Sequence, residues 1–309
     1  MTPIFSVSRW NGLTNKIPGD VQNEKPLLPL AIEKVGVKGV RRRVLISNSK
    51  GSLSYNVKLD AFVDLPGDRR GVHMSRMIEA ILETLEEEKR TSLKSLEAIL
   101  ESMCKALLSK HPYAERAEIR AETTQYFEIN AANKSPEAVD VTFIVSARRG
   151  RGVEWSTGIS LEGMTVCPCV QAFHSSLKGV NPEDGLSHTQ RTRLSINVRT
   201  LGSPTPVDWL VDAAVNAFSA PTLSLLKRRG EYELIRAAFR NPRFIEDVIR
   251  HAFFLVADKL NREGFPQNTE VFIEGESYES VHPFNAYACK RATVSEVLRE
   301  LRSKRDETD

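Results

Sequence analysis

The sequence contains few cysteines, no excess of one charge and no long hydrophobic run. Four Cys residues among 309 are too few for a disulfide framework and indicate a reducing compartment. With 43 Lys and Arg against 40 Asp and Glu, the formal net charge is only +3, which does not favour a nucleic-acid partner. No apolar segment approaches the roughly 20 residues needed to cross a bilayer, and the N-terminus lacks a secretory signal. We expect a soluble cytoplasmic protein that binds neither nucleic acid nor membrane.

The length and composition favour a folded chain of two similar parts. At 309 residues the chain is about twice the length of a usual single domain. Its 41% hydrophobic and 27% charged residues are ordinary for a globular protein. Residues 1–30 contain four prolines and no sustained hydrophobic period, which predicts an extended arm. After this arm we expect two units, over residues 31–150 and 151–309.

Hydrophobic periodicity predicts the same order of elements in both units: two strands, two helices and two strands. In the first unit the predicted strands are 34–48, 57–65, 115–129 and 138–148, and the predicted helices are 75–88 and 93–108. In the second unit the predicted strands are 152–166, 189–200, 269–276 and 283–292, and the predicted helices are 206–219 and 243–263, with a shorter one near 231–239. Runs of strands followed by runs of helices favour antiparallel α+β units over βαβ units. The fold class is therefore α+β, as two tandem ββααββ units.

The densest chemical signal is Cys167-Pro-Cys169, followed by His188. Two cysteines two positions apart on an extended chain point to the same face, about 6–7 Å apart. Thiolate and imidazole are good ligands for Zn²⁺ or Fe²⁺, and a third ligand would leave a position open for water. The alternative is two small buried thiols beside a proline turn, with surface histidines. The spacing alone leaves both interpretations open.

Carboxylates and basic residues at predicted helix starts are weaker candidates. Glu231 and Glu246 each lie near the start of a helix, where a carboxylate often only complements the helix dipole. His73 and Arg76 flank Ser75, a predicted helix N-cap, where backbone amides suit a phosphate. A helix start with an ordinary charged first turn explains the same residues. The sequence has no Walker A motif and no dinucleotide-binding glycine motif.

Six motifs in order resemble those of the prokaryotic type IB GTP cyclohydrolases, and most of all their archaeal MptA branch. The motifs are Gly71–Arg76, Cys167–Cys169, His188–Arg191, Leu225–Arg228, Asn241–Asp247 and Glu279–His282. The resemblance runs from about residue 20 to residue 290. The combination is far more specific than any single motif. The segment between Cys167 and His188 is longer than in the bacterial enzymes, which favours the archaeal branch.

The resemblance implies a tunnelling fold, in which antiparallel sheets of neighbouring chains close into a barrel with active sites at subunit interfaces. The chain would then be a homodimer or homotetramer. The resemblance also assigns the candidate residues. They are Cys167, His188 and Glu231 as metal ligands; Cys169, Glu279 and His282 as catalytic residues; and Glu246 as the guanine anchor. The triphosphate needs cationic partners, so Arg76 and Arg191, together with His73, are further substrate-binding candidates. The implied cofactor is a divalent metal, Fe²⁺ first, with Mn²⁺ or Zn²⁺ as alternatives.

The implied reaction is the hydrolytic opening of the GTP imidazole ring with release of formate. The archaeal branch yields 7,8-dihydroneopterin 2′,3′-cyclic phosphate for methanopterin biosynthesis, and the bacterial branch yields 7,8-dihydroneopterin triphosphate for folate. Two rival functions share the fold: a non-catalytic pterin- or purine-binding protein and a nitrile reductase with a lone catalytic Cys. The Cys, His and Glu set disfavours the first rival, and the paired cysteines disfavour the second.

Overall fold

The computed structural model describes residues 19–48, 51–91, 95–129 and 135–306, and residues 1–18 of the predicted arm lie outside them. In the first half of the chain the strands and helices are β1 (Ile32–Asn48), β2 (Gly51–Leu65), α1 (Met74–Thr91), α2 (Leu96–Lys110), β3 (Arg116–Phe127) and β4 (Glu137–Arg148). In the second half they are β5 (Val153–Val166), α3 (Pro168–Lys178), β6 (Thr189–Leu201), α4 (Val207–Ala217), β7 (Ala220–Pro221), α5 (Arg228–Arg240), α6 (Ile245–Arg262), β8 (Glu270–Ser277), β9 (Ala286–Thr293) and α7 (Val294–Asp306).

The strands form one continuous antiparallel sheet in the order β1-β2-β3-β4-β5-β6-β8-β9, with the short β7 beside β5. The two halves join where β4 pairs with β5, for example at Val145 opposite Trp155. The expected α+β class with antiparallel sheets is confirmed. Within the described strands, β1 and β9 pair on one side only and form the two edges of the sheet.

In the described strands, the large buried side chains face the helices that cover one side of the sheet. Side chains alternate along each strand, so that Phe143 on β4 and Trp155 on β5 are almost fully buried while their neighbours in sequence face the other side. The helix α2 packs on β3 and β4, and α6 packs on β8 and β9. Each fully buried apolar side chain stabilises the fold by about 1.5–3 kcal/mol. This face is the hydrophobic core of both halves.

The opposite face of the sheet is polar, and strand residues alone line it in the part of the chain that the structure describes. It lines a trough of about 1190 Å³. Charged side chains pair across the strands. Lys58 on β2 contacts Glu122 on the neighbouring β3 at 2.9 Å, and Arg193 on β6 reaches across β5 to Asp140 on β4 at 3.0 Å. Among the described residues, no helix is long and apolar enough to cross a membrane.

Candidate active site

The chain changes from strand to helix at Cys167, and this corrects the expectation that Cys167 and Cys169 lie on one extended segment. Cys167 is the N-cap residue of α3, with extended backbone angles, and Pro168 occupies the first helical position. Proline favours that position because its fixed φ suits the helix and its missing N–H is not needed there. Cys169 therefore lies in the first helical turn and is exposed, whereas Cys167 is half-buried.

His188 lies beside Cys167 because β5 and β6 pair up to their ends, with Val166 opposite Thr189. The Cys167 N–H donates to the His188 carbonyl at 3.2 Å. The Ser187 hydroxyl donates to the Cys167 carbonyl at 2.6 Å, which fixes the chain on the other side. Two of the predicted ligands are thus brought together by the sheet.

The loop between β8 and β9 carries Glu279 and His282 to the same end of the sheet. Ser280 in this loop lies 3.2 Å from His188 through its hydroxyl and the ring Nδ1. Glu279 accepts a hydrogen bond from the Ser277 hydroxyl at 2.9 Å. The His282 ring stacks on Phe284 at 5.2 Å between centroids. The structure therefore joins this loop to His188.

Glu231 and Glu246 stand on helices at this end of the sheet, and both are exposed. Glu231 lies in the first turn of α5, which packs on β5 and β7. Glu246 lies in the first turn of α6, where Asp247 accepts the hydrogen bond from the Phe244 N–H at 3.2 Å. Since Asp247 caps the helix, the Glu246 carboxylate is not needed for capping. The side chain of Glu246 forms no hydrogen bond or ion pair with any other described residue.

The described part of the chain contains no group of three or more His, Cys, Asp or Glu side chains placed to hold a metal ion. The set of Cys167, His188 and Glu231 therefore stays a prediction. Its donors fit a divalent transition metal, because thiolate, imidazole and carboxylate suit Fe²⁺ and Zn²⁺. Ser280 contacts Nδ1 of His188, which leaves Nε2 for a metal ion. In metal-binding histidines, the ring nitrogen that does not bind the metal is usually held by such a hydrogen bond.

His73 and Arg76 lie at the other end of the sheet from Cys167. They follow the end of β2. In the sheet, the end of β2 lies beside the beginning of β3, which lies beside the end of β4, which lies beside the beginning of β5. The helix α1 begins at Met74, so Ser75 lies inside its first turn and is not the N-cap that the sequence predicted. His73 contacts Asp20 at 2.6 Å, and this hydrogen bond holds the pKa of Asp20 below its usual range.

Arg191 stands at the beginning of β6, with its side chain on the helix-free face. It forms an ion pair with Glu162 at 3.1 Å and remains largely exposed. Its backbone carbonyl accepts a hydrogen bond from the Tyr278 N–H at 2.9 Å, which ties the β8–β9 loop to β6. The structure places Arg191 near the end of the sheet that carries Cys167, on the side opposite the helices.

Several residues that hold these segments together have no distinctive signal in the sequence. Ser280 contacts His188, and Ser187 contacts Cys167. Asn241 and Arg243 tie the start of α6 to neighbouring segments. All four lie inside or directly beside a quoted motif, so their position was the only available signal. Their partners lie 20 to 92 residues away, and no local pattern indicates such contacts.

Comparisons with known proteins identify the family and the fold. The family described as "Type I GTP cyclohydrolase folE2" matches residues 19–288. A relative named GTP cyclohydrolase MptA from Aeropyrum pernix is 42% identical and covers 90% of this chain and 97% of its own. A relative of the same name from Methanobrevibacter smithii is 32% identical and covers 92% of this chain and 98% of its own. A solved uricase from Bacillus fastidious shares the fold at a TM-score of 0.51 and 12% identity, covering 87% of this chain and 96% of its own.

Proposed function

The chain belongs to the type I GTP cyclohydrolase family, and from this we propose that it is a type IB enzyme of the archaeal MptA branch. It opens the imidazole ring of GTP by hydrolysis at C8 and releases formate. Its product is 7,8-dihydroneopterin 2′,3′-cyclic phosphate, for methanopterin biosynthesis. The observation that carries this proposal is the family match over residues 19–288, supported by relatives named GTP cyclohydrolase MptA over nine tenths of the chain.

The proposed site uses a divalent metal, Fe²⁺ first, with Cys167, His188 and Glu231 as the residues that would hold it. Such an ion, once held, would make a water molecule more acidic, so that hydroxide would be available near neutral pH. Ser280 keeps the His188 ring in one orientation through Nδ1. Pairing of β5 with β6 keeps Cys167 beside His188.

Glu246 is the proposed anchor of the guanine base. A carboxylate can accept hydrogen bonds from the guanine N1–H and 2-amino group together, whereas adenine offers no such pair of donors. Its position at the start of α6 without another described partner leaves both oxygens for this role. His282 is the proposed general acid or base for the ring nitrogens, since imidazole changes charge near neutral pH. Glu279 in the β8–β9 loop and Cys169 in the first turn of α3 are the other proposed catalytic residues.

The proposed active site is completed by a second copy of the chain. His73 and Arg76 are candidates for the triphosphate, yet they lie at the end of the sheet opposite Cys167. A two-fold axis across the strands brings the beginning of β5 in one copy beside the end of β5 in the other. Pairing of β1 in one copy with β9 in its neighbour, about a different axis that runs along the strands, closes the sheets into a barrel. The proposed assembly is a homodimer or a homotetramer built from two such dimers.

Incubation of the pure protein with GTP and Fe²⁺ or Mn²⁺ under anaerobic conditions tests the proposed function. We expect formate and a fluorescent pterin after oxidation. Phosphate analysis then distinguishes the cyclic monophosphate from the triphosphate of the bacterial enzymes. Binding of GTP or pterin without formate release would contradict the proposal and support a non-catalytic binding protein.

A further inference from the structure

Asn241 and Arg243 lie in the link between α5 and α6, shortly before Glu246, and neither has a part in the chemistry proposed above. The link is short, since α5 ends at Arg240 and α6 begins at Ile245. Its polar side chains are half-buried rather than solvated. Their contacts reach three other segments of the second half.

Arg243 donates four hydrogen bonds from one position. Its backbone N–H donates to the carbonyl of Val166, the last residue of β5, at 3.1 Å. Its Nη1 donates to the carbonyls of Asn216 and Ala217 at 2.8 and 2.5 Å, at the C-terminus of α4. Its Nε donates to the Asn241 side-chain oxygen at 3.1 Å. One residue therefore joins β5, α4 and the link itself.

Asn241 strengthens the same junction from the other side. Its side-chain amide donates to the carbonyls of Phe218 and Ser219 at 3.1 and 3.4 Å. The Ser219 hydroxyl accepts a hydrogen bond from the Val166 N–H at 3.2 Å. Both backbone groups of Val166 are thus held, the N–H through Ser219 and the carbonyl by Arg243. The residue that follows Val166 is Cys167.

The chemistry of Arg243 fits a rigid junction. Every described acceptor of its donors is an uncharged oxygen. Burial lowers the pKa of the guanidinium, and the Asp247 charge opposes this effect. A planar guanidinium donates to several oxygens in a fixed geometry, whereas a lysine ammonium is a single flexible point charge. The guanidinium itself fixes the link to the C-terminus of α4 and to Asn241. The bond to Val166 comes from the backbone N–H of the same residue, so a link held in place by the side chain is also held against the end of β5.

We propose that Arg243 is a positioning residue that fixes the start of α6, with Glu246, against the end of β5 that leads into Cys167. The inference rests on the proposed function, in which Glu246 holds the guanine and Cys167 helps to hold the metal. Arg243 contacts neither group and acts through Glu246. A displacement of about 1 Å at a reacting centre costs as much as a hundredfold in rate.

The test compares GTP with ITP, which lacks the 2-amino group that Glu246 is proposed to bind. The readout is the ratio of kcat/KM for the two nucleotides, because this ratio does not depend on the fraction of enzyme that is active. Arg243→Lys keeps the positive charge but loses the planar guanidinium and its several fixed donors. We expect it to lower the ratio by about tenfold, the equivalent of one lost hydrogen bond. Metal content should equal that of the wild type.

Arg250→Lys is the matched control. Arg250 lies on the same helix, is exposed, and forms an ion pair with Asp247 at 2.7 Å without touching the junction. This variant should keep the wild-type ratio. In a Glu246→Gln background, Arg243→Lys should have no further effect on the ratio, since the anchor through which it acts is already lost.

An unchanged ratio in folded, metal-loaded Arg243→Lys would overturn the inference while leaving the proposed function intact. Absence of GTP turnover by the wild type would overturn the proposed function and the inference with it. If Arg243→Lys does not fold, Asn241→Ser provides the same comparison, because it removes the two bonds to Phe218 and Ser219 and the acceptor for Arg243. A wild-type ratio in folded Asn241→Ser would then overturn the inference.

Discussion

His73 and Cys167 lie at opposite ends of the same sheet. His73 follows the end of β2, whose neighbours lead to the beginning of β5, and Cys167 follows the end of β5. Since β5 has 14 residues, the two ends of the sheet are roughly 40 Å apart. One molecule of GTP cannot contact both residues of one chain. If both belong to the site, they must come from different copies.

Mixing of inactive variants tests this arrangement. We expect Arg76→Ala and Cys167→Ala to be inactive alone and to recover activity when they are mixed under conditions that exchange subunits. In a mixed dimer, one site combines the substituted position 76 of one copy with the substituted position 167 of the other. The second site then has the native Arg76 and the native Cys167. Cys167→Ala and His188→Ala provide the control, because the two residues lie beside each other at one end of the same sheet and these variants should not complement each other. Light scattering that shows an active monomer would contradict the shared site.

Removal of a predicted ligand should remove the metal without unfolding the chain. In Cys167→Ala we expect loss of bound Fe²⁺ and of GTP turnover, with a circular dichroism spectrum like that of the wild type. Cys289→Ala is the control, since Cys289 is an exposed thiol on β9 outside the proposed site. Metal analysis of both variants makes the comparison. Full activity of the wild type after exhaustive chelation would show that the metal is not required.

Replacement of the proposed guanine anchor, Glu246, should weaken nucleotide binding without affecting metal binding. Glu246→Gln keeps the size of the side chain but presents a donor to the donors of guanine, at a cost of about 1–3 kcal/mol. This corresponds to a loss of GTP affinity of about fivefold to more than a hundredfold by calorimetry. Metal content should not change. Glu263→Gln, at the far end of α6, should bind GTP like the wild type.

The segment that leads to His188 requires a glycine at position 185. A Cβ atom there would lie 2.2 Å from the Ser175 hydroxyl and 2.6 Å from the Gln171 carbonyl. Since the backbone carbonyl cannot move aside, Gly185→Ala should destabilise the fold by about 1–3 kcal/mol. At Gly152 nothing lies within 4 Å of an added Cβ, so Gly152→Ala is the control. Thermal melts of the two variants measure the difference, and equal midpoints would contradict it.

The four cysteines should differ in reactivity. Cys104 is fully buried on α2, and burial raises the pKa of its thiol to about 12. At pH 8 we expect iodoacetamide to modify the exposed Cys169 and Cys289 and to leave Cys104 intact until the chain unfolds. Mass spectrometry of peptides from native and denatured protein makes the comparison. The Cys104 thiol has a pKa near 9.0 in the unfolded chain and a raised pKa in the folded chain. As the pH rises above 9, ionisation therefore favours the unfolded chain, and the fold should lose stability.

The periodicity of the sequence was sufficient for most of the architecture. Alternating apolar residues predicted β4 at 138–148, and the structure has it at Glu137–Arg148. Helical spacing predicted α6 at 243–263, and the structure has it at Ile245–Arg262. The helix α3 was missed. Its exposed face carries Phe173 and Leu177, so it lacks the polar outer face that marks an amphipathic helix, and Cys-Pro-Cys was interpreted as extended chain.

The sequence by itself determined most of the elements, the antiparallel α+β class and the resemblance to the family, because these depend on local spacing and on motifs within short segments. The tertiary structure alone decided which candidates lie together. Pairing of β5 with β6 places His188 beside Cys167 across 21 positions, and the β8–β9 loop adds Ser280 from 92 residues away. The same strand order carries His73 to the far end of the sheet. Strand pairing is a long-range choice made by burying one face of the whole sheet, so no short segment contains that information.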